Sequence, residues 1–86
     1  MFHEFYPDPA FDWLYGDIFS TDEEDTLIEV ADLRGAAVLT QRFHLTRGVN
    51  KVAISLASLV AGEYVVNIIS NHGRFSRMLT VTHCPN

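Results

Sequence analysis

Cysteine is nearly missing from this chain, with Cys84 the sole example among 86 residues. One thiol cannot close an intramolecular disulfide, so the fold must stand on apolar packing. Long apolar runs are missing too, and no stretch approaches the roughly 20 residues of a membrane-spanning helix. The first residues, Met1, Phe2, His3 and Glu4, lack the basic segment and apolar core of a signal peptide. That points to either a cytoplasmic protein or a domain cut from a longer chain. Basic residues are missing from the first third. All six lie at or after Arg34, whereas ten of the eleven acids lie at or before Asp32, a split of −10 and +5 that sums to −5. Two oppositely charged surface regions that attract one another explain this split. A sharper reading makes Arg42, Arg47, Lys51, Arg74 and Arg77 an anion-facing side. Nucleic acid is not the expected partner, because the net charge is negative and no aromatic-interleaved basic motif occurs.

Enzyme signatures are absent as well. The chain has no G-x-S-x-G elbow, no phosphate-cradling glycine loop and no paired metal-ligand histidines. His3, His44, His72 and His83 are scattered, and His72 and His83 read as exposed turn and tail positions, without zinc-ligand spacing. Cys84, two residues from the last, reads as a free surface thiol able to dimerise on oxidation. No catalytic, cofactor-binding or metal-binding residue is assigned.

What is present is a folding composition, 48% hydrophobic and 20% charged, with no repeat or low-complexity segment. Residues 1–86 are expected to form one small domain that buries about 60 to 65% of its unfolded surface. Helical periodicity is not sustained anywhere. Short β-branched and aromatic runs instead alternate with Gly, Asn, Asp, Ser and Pro, the pattern of an all-β sandwich or barrel. Strands are expected at 2–6, 12–19, 26–33, 36–45, 50–57, 62–70 and 74–82.

The breaks between them carry turn chemistry. "DLRG" at 32–35 offers Asp first and Gly fourth, as a type I turn favours, with Val30 and Val38 flanking the hairpin. "SNHGR" at 70–74 supplies Asn71 and Gly73, both tolerant of positive φ. "TRGVN" is expected to make a similar tight turn before Val52, Ile54 and Leu56, which alternate onto one face. The acidic run Asp22–Asp25 reads as an exposed loop, since four adjacent like charges cannot be buried unpaired and the run lacks the interleaved ligands of a calcium loop. Pro7 and Pro9 keep the segment after the first strand out of a sheet ladder.

Two groups of aromatics stand out. In "SLVAGEYVVNI", 58–68, Gly62 is expected to let the backbone make a sharp entry, Tyr64 heads the strand, and Leu59 is set to cap the core. This is the chemistry of a tyrosine corner, whose hydroxyl bonds the backbone a few residues upstream in immunoglobulin-like sandwiches. Tyr6, Phe11, Trp13 and Tyr15 form the second group. Trp13 and Tyr15 share one strand face and read as core or edge packing, with a sugar-stacking platform as the alternative. Under that alternative the chain is an accessory carbohydrate-binding module of a surface enzyme; under a third reading it is a plain spacer.

"YPDPAFDWL", 6–14, resembles the P-N-P start of the carboxy-terminal sorting domain, type A, of the type IX secretion system of Bacteroidetes, with Asp8 where that family has Asn. "IEVADLRGAAV", 28–38, resembles its strand, Asp-x-x-Gly turn and next strand. "ISLASLVAGEYVVNI", 54–68, resembles its Leu-x-x-Gly-x-Tyr segment, and "GRFSRMLTV", 73–81, its closing strand, beyond which "THCPN" runs on. The matching positions are Pro7, Pro9, Asp32, Gly35, Leu59, Gly62, Tyr64, Arg77 and Leu79.

The resemblance implies an immunoglobulin-like β-sandwich without catalytic activity, attached behind an amino-terminal cargo domain. It implies that the type IX outer-membrane translocon carries the cargo across the outer membrane and a sortase-like peptidase cuts ahead of the module. The cargo is then released or attached to the cell surface. Most of these positions are expected to shape the module, and the strand around Arg77 and Leu79 to be read by the machinery. An unpaired edge strand also offers a route to self-association.

Overall fold

The computed structural model describes residues 2–7 and 9–82. His83 and Cys84 lie outside the described residues, as does Asp8. Seven strands and no helix are found in the described residues: β1 (Phe2–Tyr6), β2 (Trp13–Ser20), β3 (Glu24–Asp32), β4 (Ala37–Leu45), β5 (Gly48–Ser55), β6 (Gly62–Ser70) and β7 (Gly73–Val81). Every expected strand is present, with ends displaced by up to two residues.

All strand pairs are antiparallel, in two sheets of order β1-β2-β5 and β4-β3-β6-β7. This is an immunoglobulin-like sandwich in which the fourth strand has moved from the first sheet, its constant-type place, to the edge of the second. The strand assignment explains a difference from the sequence reading. "TRGVN" carries the chain from one sheet to the other and makes no hairpin. The Asn50 carboxamide holds this corner, donating to the carbonyls of Thr46, Gly48 and Ile18 and accepting the Thr46 N–H at 2.9 Å.

Side chains alternate across a strand, so each run sends every second residue inward. Leu14 and Ile18 of β2, Val52 and Ile54 of β5, Ile28 and Val30 of β3, Tyr64 and Val66 of β6, and Leu79 and Val81 of β7 meet between the sheets, with Ala10, Leu56 and Leu59 sealing one end. Burying a Leu, Ile or Val side chain contributes about 1.5–3 kcal/mol. Gly16 also points inward. A Cβ there would lie 2.7 Å from the Phe5 ring and 2.9 Å from Val52, so the glycine leaves room for Phe5 to cover the centre of β2.

Two hairpins refine the turn readings. In the β3–β4 turn the Asp32 carbonyl accepts the Gly35 N–H at 3.0 Å and Gly35 adopts φ 91°. The Asp32 carboxylate accepts the N–H groups of Arg34 and Ala36, each at 2.9 Å. A bulge between Val30 and Ala31 sets Leu39, not Val38, opposite Val30. In the β6–β7 turn Gly73 alone has a positive φ; Asn71 does not.

Candidate functional site

The matched motif positions gather at one end of the sandwich and along one edge. Across the second sheet, Asp32 pairs with Tyr64 and Tyr64 with Leu79, so residues far apart in the chain form one row. The Tyr64 ring is buried and its hydroxyl donates to the Val60 carbonyl at 2.6 Å, which is the expected corner. Leu59 is buried beneath it in the core, its N–H bonded to the Leu56 carbonyl at 3.0 Å. Gly62 behaves differently from the expectation of a sharp, glycine-dependent bend. It has no positive φ, and a Cβ there would meet only the Tyr64 ring, at an ordinary 3.9 Å.

Pro7 and Pro9 lie in the connection from β1 to β2, and the Tyr6–Pro7 peptide is cis. This connection crosses from the first sheet to the second. Ala10 forms a parallel bridge to Val81, its N–H donating to the Thr80 carbonyl and its carbonyl accepting the Thr82 N–H, both at 2.8 Å. Below that bridge β1 and β7, the edges of the two sheets, run side by side with no backbone ladder between them among the described residues. Between them is a cavity of about 260 Å³ lined by Glu4, Phe5, Pro7, Leu14, Val66, Arg77, Met78 and Leu79.

Arg77 occupies an inward position of β7, in phase with Leu79 and Val81, and its side chain enters this cleft. Its Nε donates to His3 Nε2 at 3.2 Å. His3, only 9% exposed, lies between Phe5 and Phe75, with ring centroids 6.1 and 5.5 Å away. Burial, and then the Arg77 guanidinium, hold the His3 imidazole below its ordinary value of 6.5. A guanidinium can only donate, so Nε2 is the acceptor and the ring proton is on Nδ1. That Nδ1 is buried and has no hydrogen-bond partner among the described residues. His3 was missed as a site residue. The signal that points to it is a charge at an inward position of an alternating strand, which needs a polar neighbour across the sandwich.

The opposite end corrects the reading of the acidic run. Glu24 and Asp25 begin β3, and Glu24 faces inward and is 5% exposed. Its carboxylate is paired, with His72 Nε2 at 3.1 Å and the Thr26 hydroxyl at 3.3 Å. His44 is exposed yet engaged, with Nδ1 2.8 Å from Asp25 and Nε2 2.8 Å from Glu23. Those two bonds, Asp25 first, raise the His44 imidazole above its ordinary 6.5. Asp22 and Glu23 thus stay in an exposed loop as expected, whereas Glu24 and Asp25 start β3 and find histidines in the β6–β7 turn (His72) and on β4 (His44). The described residues hold no group of three or more side chains suited to a metal ion.

The cations do not form one anion-facing side. Lys51 pairs with Asp17 at 3.2 Å on the outer face of the first sheet, and Arg74 lies 3.7 Å from Glu29 on that of the second. On this second face Asn67 donates to Glu29 at 3.1 Å and accepts the Ser76 hydroxyl at 2.7 Å. Trp13 and Tyr15 are also corrected: they are 47% and 42% exposed, on the solvent face of β2, and Tyr15 stacks on Tyr6 at 6.1 Å. Neither ring packs in the core, because the even-numbered residues of β2 supply its inner face.

Fold and packing thus define the class, an immunoglobulin-like β-sandwich of seven strands. A family model described as the secretion system C-terminal sorting domain matches residues 4–82, and the chain belongs to that family. No curated protein matches the chain, and no solved structure does. The domain is a C-terminal sorting signal of the type IX secretion system, which takes an attached cargo through the outer membrane to the cell surface or the medium. That assignment does not favour the carbohydrate-binding reading, despite the exposed rings.

Proposed function

We propose that residues 1–86 act as one non-catalytic recognition module behind an amino-terminal cargo, and that the type IX outer-membrane translocon reads the β7 edge around Arg77 and Leu79. Pro7, Pro9, Asp32, Gly35, Leu59 and Tyr64 act by shaping the module; they hold the corner and the sheet-crossing segment that bring Arg77 and Leu79 to their places. A sortase-like peptidase then cuts ahead of the domain, releasing the cargo or attaching it to the surface. One observation carries this reading. Below the Ala10 bridge, the edge strand that bears the family's closing motif keeps its outer backbone groups unbonded among the described residues. An open edge offers main-chain bonds to a partner strand.

The test is a reporter exported to the periplasm and fused ahead of residues 1–86, in a host with a type IX system. The reporter should reach the medium or the cell surface. Retention in the periplasm overturns the proposal.

A further inference from the structure

The β7 edge has a defined chemistry. Ala10 bonds the Thr80 carbonyl and the Thr82 N–H, so the even-numbered residues of β7 present their backbone groups outward, and the odd-numbered ones face β6. Arg74, Ser76 and Met78 therefore offer main-chain donors and acceptors that no described backbone group takes up. A strand laid there extends the second sheet and turns every second side chain toward the cleft between β7 and β1.

Two features of the cleft select those side chains. Near Leu79 the cavity has an apolar lining of Phe5, Leu14, Val66 and Leu79, in about 260 Å³. Near Arg77 it has a guanidinium that forms no ion pair among the described residues and is oriented through Nε by the buried His3. Arg77 and Leu79 are consecutive inward positions, about 7 Å apart along the strand. Glu4 lines the same cavity, and no ion pair joins it to Arg77 among the described residues. β7 itself carries two arginines and no acid. This charge disfavours a second copy of the same edge, in which arginines would oppose arginines, and complements an acidic strand.

We infer that the β7 edge and the cleft beside it take up an extended acidic segment of a partner protein. Its carboxylate sits on Arg77, and an apolar side chain two positions away fills the cavity over Leu14, Val66 and Leu79. His3 is the positioning residue for Arg77. This inference rests on the preceding reading of β7 as the recognised edge, and it supplies the partner's chemistry.

The probe is a blocked seven-residue peptide, Thr-Val-Glu-Val-Leu-Val-Thr, titrated into the whole 86-residue chain. Fluorescence anisotropy reads affinity, and amide hydrogen exchange reads the Arg74, Ser76 and Met78 N–H groups. Binding should protect these amides. Replacing the peptide's Glu by Gln should weaken binding about tenfold, as expected for loss of a charge-assisted bond.

Arg77→Gln should erase that difference between the peptides while leaving the circular dichroism unchanged. Met78→Pro removes one outward N–H and spares the ladder to β6, so it should abolish binding of both peptides. Should proline at 78 disturb the fold, a peptide N-methylated at alternate residues must fail to bind the unmodified chain. No binding, equal affinity for the Glu and Gln peptides, or binding without protection of these amides each overturns the inference. Protection that grows with protein concentration in the absence of peptide assigns the edge to a second copy and also overturns it. The reporter export assay, run on Arg77→Gln and on the unmodified fusion, separates the two claims. Export without peptide binding sinks only the acidic-strand inference; peptide binding with the unmodified fusion retained in the periplasm sinks only the sorting reading.

Discussion

The two ends of the sandwich are closed by different physics. At one end Tyr64 donates to Val60, Asp32 organises the turn before β4 and Leu59 covers the core. Its hydrogen bonds largely serve backbone groups. The other end is closed by charge, through Glu24 with His72 and through His44 held between Glu23 and Asp25. The family's motif positions cluster at the first end and along β7. The corner's packing and backbone bonds depend on no proton, whereas the bonds of His44 at the other end do.

The largest expected effect comes from emptying the corner. Tyr64→Ala should cost about 3–5 kcal/mol in denaturant unfolding, because a buried ring is removed from a close-packed site. A cost under about 1 kcal/mol would break the comparison, by showing that this end is not held by packing.

Next comes the opposite end, where His72→Ala leaves the buried Glu24 carboxylate with the Thr26 hydroxyl as its remaining partner among the described residues. That change should cost about 1–3 kcal/mol, the scale for an unsatisfied buried polar group, and Glu24→Gln should recover part of it.

Two glycines sharpen the first end. Gly35→Ala, at φ 91°, should cost about 1 kcal/mol or more, whereas Gly62→Ala has neither a positive φ nor a close neighbour and should be nearly neutral. Equal costs would show that Gly62 does more than its geometry requires. Tyr64→Phe follows, at about 1 kcal/mol for one lost hydrogen bond.

The smallest effect is the pH dependence, and its sign separates two histidines. His44 is raised by Asp25 and Glu23, so its contribution is present below pH 6.5 and is lost as pH rises through its folded-state value. His3 is lowered by burial and Arg77, so its contribution is present above pH 6.5 and is lost as pH falls through the window beneath it. His44→Gln should flatten the alkaline side of a stability–pH curve, and His3→Gln the acid side. Reversed assignments would contradict both environments.

Much of the fold was legible because strands declare themselves locally. Alternation in "KVAISL" places Val52, Ile54 and Leu56 on one face, and they are all buried. Gly73 marks a hairpin by its backbone freedom, and Tyr64 announces its corner because a buried hydroxyl needs a nearby carbonyl. The same reasoning failed where the partner is remote. Glu24 looked exposed because its compensating histidine stands 48 positions later (72 − 24), in the β6–β7 turn. Trp13 and Tyr15 looked like core or edge packing, since ring size favours burial; which face of β2 turns inward depends on the rest of the sandwich. Gly16 gave no local sign of the Phe5 ring that lies over it.

By itself, the order of residues determined the class of structure, the places where strands begin and turn, and the family, because these depend on short-range periodicity, backbone preference and motif spacing. Only the tertiary structure decided how the hairpins are shared between the two sheets, that the chain changes sheets after β4, that Arg77 turns inward onto His3, and that an open cleft remains between β1 and β7. Those outcomes come from contacts between segments many residues apart, whose energies no local pattern encodes.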